Sequence, residues 1–185
     1  FFDQATKTLE LMIKENLSSK DPNLALARLN LGELYGKTRK IEKAITEWKA
    51  AIKINPSLLP AHFNLGTAYM MKGKLQLAES AFELCLKLNN HYEPALFNLA
   101  KVYQRQEKWA ESTQQFKAFL EVAGPRPSAY TQMGFNLNRQ SDWDNAKHFL
   151  EKSISLQPED INTRITLAET FTNLAQIKKA HEHLT

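Results

Sequence analysis

An intramolecular disulfide is excluded, because the 185 residues include a single cysteine, Cys85, and a bridge needs two. Turn-forming residues are scarce: 6 Gly and 7 Pro are too few for an all-β protein that turns every ~8 to 12 residues. Apolar runs stop after a few residues and mean hydropathy is −0.45, so no stretch reaches the ~18 apolar residues of a spanning helix. Charge of one sign is barely in excess, at net +4 from 24 basic and 20 acidic side chains. Residues 1–92 carry 13 basic and 9 acidic side chains and residues 93–185 carry 11 of each, whereas counterion-release binding to nucleic acid uses a clustered basic stripe. No nucleic-acid partner is therefore expected. What is present is an ordinary globular balance, 43% hydrophobic and 24% charged, which argues against disorder. The length suffices to bury about 70% of the unfolded surface. The chain opens on Phe-Phe-Asp without Met, which reads as a piece of a longer product, and no segment specifies a compartment.

Self-comparison shows a period. Asn30-Leu31-Gly32, Asn64-Leu65-Gly66, Asn98-Leu99-Ala100, Gln132-Met133-Gly134 and Thr166-Leu167-Ala168 recur every 34 residues without a gap. In the same frame stand Tyr35, Tyr69, Tyr103, Leu137 and Phe171, then Ala44, Ala78, Ser112, Ala146 and Ala180, then Trp48, Phe82, Phe116, Leu150 and Leu184. Large apolar residues at i, i+3, i+4 and i+7 on each side of a break make every block a helix pair. Gly32, Gly66 and Gly134 lie inside the first helix, where Gly costs about 1 kcal/mol against Ala; close approach of the partner helix is the compensation the pattern predicts. Pro60, Pro94 and Pro127 fall in the first turn of a first helix, where a missing N–H is harmless.

Small residue, aromatic, alanine, aromatic and proline at these offsets resemble the tetratricopeptide repeat. The resemblance covers 25–58, 59–92, 93–126 and 127–160 as full repeats and 161–185 as a partial one, with 1–24 as the second helix of a truncated preceding repeat, elongated before Asp21-Pro22. It implies an all-α fold, a right-handed α-solenoid of tandem helix-turn-helix pairs with about 11 helices in one continuous superhelical domain. Arg28, His62 and Arg164 stand where the family has a large apolar residue, and looser contacts are expected there. Gly124-Pro125-Arg126-Pro127 is expected to form a stiff corner.

Chemistry-bearing constellations are sparse. His62, His91, His148, His181 and His183 include no i, i+4 pair, the spacing that sets two imidazoles on one helical face. Cys85 sits where Ala51 stands one block earlier, the place of a packed thiol rather than a nucleophile. Asp142, Asp144, Glu159 and Asp160 read as helix-start acids. Asn16-Leu17-Ser18 matches a glycosylation sequon inside an expected helix, a chance match. No catalytic residue, metal site or cofactor is expected, and the segment reads as no enzyme.

In the resembled family the first helices line the concave wall, an extended surface suited to peptides or partner proteins. Candidates on it are Leu29 and Asn30, Phe63 and Asn64, Phe97 and Asn98, Thr131 and Gln132, and Ile165 and Thr166. A carboxamide both donates and accepts, so Asn30, Asn64 and Asn98 form a line able to hold an extended backbone; surface filling is the competing reading. Phe63, Met70, Met71, Phe97 and Phe135 add apolar area, with packing against the neighbouring repeat as their alternative. Lys101, Arg105 and Arg139 are placed to meet carboxylates, although Pro94 and Asn98 break the two-basic clamp for a free C-terminus. The leading expectation is a noncatalytic scaffold or adaptor binding a protein or extended peptide, within a larger complex. The alternatives are a substrate-recruiting region of a larger enzyme and a scaffold that self-associates through uncapped ends.

Overall fold

The computed structural model describes residues 2–15 and 22–183; the Asn16-Leu17-Ser18 sequon, the expected elongation of the first helix toward Asp21, and Leu184 lie outside them. Among the described residues there are eleven α-helices and no strand: α1 (Phe2–Glu15), α2 (Pro22–Lys37), α3 (Ile41–Ile54), α4 (Leu59–Met71), α5 (Leu75–Leu88), α6 (Glu93–Arg105), α7 (Trp109–Ala123), α8 (Pro127–Arg139), α9 (Trp143–Leu156), α10 (Ile161–Asn173) and α11 (Ile177–Glu182). They gather in two compact units, Phe1–Asn90 with α1 to α5 and His91–Thr185 with α6 to α11. In the first unit each helix packs on the next, and α2 also meets α4; in the second the same holds from α6 to α11, and α8 also meets α10.

The helix pairs close as the period requires. Gly32, Gly66 and Gly134 lie against the large residue of the facing helix, so closely that an added Cβ would stand 2.5 Å from Trp48 Nε1, 2.8 Å from Phe82 Cε1 and 2.4 Å from Leu150 Cγ. Ala100 takes the same place in a core with Phe116, Ala129 and Met133, and Ala168 in one with Leu150, Leu167, Phe171 and Ala180. Helices that approach this closely interlock small and large residues along each pair.

Each pair turns on one left-handed residue, and that residue recurs at the period: Arg39, Glu107, Ser141 and Ala175 have φ between 57 and 60°, and Gly73 has φ 70°. One residue later, the N–H groups of Lys40, Lys74, Lys108, Asp142 and Gln176 donate to the carbonyls of Tyr35, Tyr69, Tyr103, Leu137 and Phe171 at 2.8 to 2.9 Å. These are the six-to-one bonds of a Schellman ending, which satisfy a helix-end carbonyl. Four of the five turns adopt the conformation without the glycine that suits it best. At the other corner, Gly124 ends α7 at φ 72°, ψ −175° and Pro127 opens α8.

The three polar departures from the repeat pattern are not loose. His62 is buried, with Nε2 2.8 Å from the Pro56 carbonyl. Arg28 pairs with Glu47 at 2.7 Å, and Arg164 Nε donates to the His183 carbonyl at 3.1 Å. Each exchanges an apolar contact for a satisfied polar one, as burial demands.

Candidate functional site

In the second unit the first helices α6, α8 and α10 are tied side by side by polar bonds between residues 32 apart. Gln104 Nε2 donates to Asn136 Oδ1 at 2.7 Å, Asn138 Nδ2 to Thr170 Oγ1 at 2.9 Å, and the hydroxyls of Thr131 and Thr163 are 2.5 Å apart. Asn136 is fully buried and its Nδ2 also donates to Ser112 Oγ at 2.8 Å and Thr113 Oγ1 at 3.2 Å. Networks satisfied this fully hold their elements in one arrangement. The surface these helices present therefore rests on a rigid support.

Two groups of side chains gather on that support. Phe97 on α6 meets the buried Phe116 edge-on at 5.4 Å and Phe119 at 5.2 Å. Beside it is a shallow depression of about 380 Å³ lined by Glu93, Pro94, Phe97, Asn98 and Phe119. Lys101 is exposed one turn on, its Nζ 5.9 Å from the centre of the Phe97 ring, and Arg105 is exposed one turn beyond. The second group is Phe135, 40% exposed, edge-on to Trp109 at 5.9 Å, with the Arg139 guanidinium 5.5 Å above the same indole. Trp109 and Phe119 are missing from the sequence-based candidates because both lie on a second helix. Register points to Trp109 all the same, since Ile41, Leu75, Trp143 and Ile177 are its counterparts.

The first unit presents less. Asn30 on α2 is exposed, whereas Asn64 on α4 is half-buried and its Nδ2 donates to Glu33 Oε1 at 3.3 Å. Phe63 is half-buried against Phe82, centroids 5.8 Å apart; Met70 is half-buried, and Met71 is 68% exposed. Two expected wall residues are core instead. Leu29 is buried, and so is Thr131, which bonds Ser153 and Thr163. Tyr35 donates to Glu10 on α1; that bond first, then burial and the charges of Glu10 and Glu47, pushes its phenol up to about 12. Cys85 is fully buried, and burial pushes its thiol up to about 12. Among the described residues no three His, Cys, Asp or Glu side chains cluster as metal ligands, and no helix is long and apolar enough to cross a membrane.

Two family profiles match the chain, one described as TPR repeat over residues 40–73 and one as Tetratricopeptide repeat over residues 60–92. The chain carries tetratricopeptide repeats. No curated protein sequence matches the tetratricopeptide chain, but solved structures do. YrrB, a TPR protein with an unusual peptide-binding site, superposes with TM-score 0.84 at 20% identity, covering 97% of this chain and 90% of that one. MamA residues 41 to the end, from Desulfovibrio magneticus RS-1, gives 0.83 at 19% identity over 90% and 93%. A tetratricopeptide repeat protein from Parabacteroides merdae gives 0.82 at 17% identity over 99% and 71%. At these identities the likeness is one of fold.

Proposed function

We propose that the tetratricopeptide protein is a noncatalytic adaptor that binds an extended peptide or a partner protein on the wall formed by its first helices. The observation that carries this reading is the second unit's wall, where Phe97 and Asn98 line an open depression with Lys101 beside the Phe97 ring, on helices tied to one another through Gln104, Asn136, Asn138 and Thr170. Apolar surface rimmed by polar groups on a rigid support is what a binding face needs. YrrB, a TPR protein with an unusual peptide-binding site, has the same fold and points the same way. Asn98 supplies a carboxamide able to bond a backbone regardless of its side chains.

Selection of a random twelve-residue peptide display library on the immobilised chain tests this. Enriched peptides should lose affinity by a few-fold on Asn98→Ala, since one hydrogen bond contributes about 0.5 to 1.5 kcal/mol net. They should hold on Lys49→Ala with Lys53→Ala, a pair on α3. Binding lost with the α3 pair and kept with Asn98→Ala would place the site on the second helices and end the proposal.

A further inference from the structure

The depression on α6 is chemically asymmetric along the helix. Its floor is apolar, Pro94, Phe97 and Phe119, and its lining carries one carboxylate, Glu93. Past Phe97 the charge reverses, with Lys101 and then Arg105 in successive turns, both exposed. On α8 Arg139 is exposed as well, and on α10 Glu169 is the exposed acid. We infer that the second unit takes an extended acidic peptide segment, anchored by one bulky apolar side chain in the Phe97–Phe119 depression and by a carboxylate on Lys101 and Arg105. The inference rests on the reading of the first-helix wall as the binding face and adds the partner's chemistry to it.

Three features support this class of partner. The Phe97 ring is held by Phe116 and Phe119 at 5.2 to 5.4 Å, so an incoming aromatic or branched aliphatic side chain meets a preformed surface and orders little on binding. Lys101 lies four residues beyond Phe97, about 6 Å along the helix axis. In an extended chain side chains i and i+2 point the same way about 6.6 Å apart, so a carboxylate two residues from the anchor reaches Lys101. A basic residue at that place in the partner would face Lys101 and Arg105 and be repelled, which gives selection as well as attraction.

The test uses the whole chain and three fluorescein-labelled ten-residue peptides read by fluorescence anisotropy. One has a single phenylalanine followed two and three residues later by aspartate, the second has lysine in place of both aspartates, and the third has alanine in place of the phenylalanine. The first should bind about tenfold tighter than either of the others in low salt, with affinity falling as salt rises. Lys101→Glu, a change at an exposed side chain whose ammonium lies over the Phe97 ring, should weaken the first peptide about three- to tenfold and strengthen the second. Phe97→Ala should weaken the first and second peptides alike. Equal affinity for the aspartate and lysine peptides, or no effect of Lys101→Glu, overturns the acidic-partner inference while the peptide-binding reading stands. If none of the three peptides binds and the display library yields binders lacking acidic residues, the inference also fails; a library that yields no binder removes the peptide reading beneath it.

Discussion

Gly32→Ala and Gly36→Ala add the same methyl group one turn apart on α2, facing the same indole, and should move stability in opposite directions. At Gly36 the new Cβ would lie 3.5 Å from Trp48 Cη2 and 3.7 Å from Cζ2, ordinary van der Waals contact. The substitution then keeps most of the ~1 kcal/mol by which alanine is preferred over glycine in a helix, so a gain of about 0.5 to 1 kcal/mol is expected. At Gly32 the Cβ would lie 2.5 Å from Nε1, 2.6 Å from Cδ1 and 3.0 Å from Cε2. Trp48 is 6% exposed, so the ring cannot swing out to solvent and the two helices must part. Overpacking of that kind costs about 1 to 3 kcal/mol, which exceeds the propensity gain and leaves a net loss of about 0.5 to 2 kcal/mol. Urea unfolding followed by far-ultraviolet circular dichroism gives the comparison. Hydrogen exchange of the α2 and α3 amides localises it, because repeat arrays can open in sections. A Gly32→Ala variant as stable as Gly36→Ala would refute the close-packing account of the repeat's small residue.

Other substitutions separate backbone from packing. Gly124→Ala should cost about 1 to 3 kcal/mol through backbone strain alone, since φ 72°, ψ −175° is open essentially to glycine while nothing lies within 4 Å of the added Cβ. Gly73→Asn should be nearly neutral in the same urea assay, because Arg39, Glu107, Ser141 and Ala175 already hold that turn conformation. Asn136→Ala should destabilise the second unit by about 1 to 3 kcal/mol, seen as earlier urea unfolding, by removing the bonds that Asn136 makes with Gln104 and Ser112. The native Cys85 thiol should resist a disulfide exchange reagent at pH 8 until the chain unfolds. An unfolded thiol releases its proton near 9 and the folded one near 12, so Cys85 should cost stability as pH rises from 9. A pH scan of the urea midpoint that falls as steeply in Cys85→Ala would contradict this.

The 34-residue period, the helix pairs and the interlock of Gly66 with Phe82 are all legible in the sequence, because each depends on spacing within one repeat and repeats itself in the next. The same reasoning finds Phe97, Asn98 and Lys101 on one helical face. It fails where the outcome depends on what another helix brings up to a residue. Thr131 and Phe97 share a register, yet Thr131 is core because Ser153 and Thr163 meet its hydroxyl, while Phe97 borders a depression. Asn136 has every appearance of a surface residue, and Gln104, Ser112 and Thr113 make it an interior one. Arg39 and Glu107 turn the chain as Gly73 does, because the six-to-one bond and the seam between the helices outweigh the preference of a side chain for negative φ. Periodicity sets which faces a helix possesses; which of them stays open to a partner is set by neighbours that the periodicity of that helix does not contain.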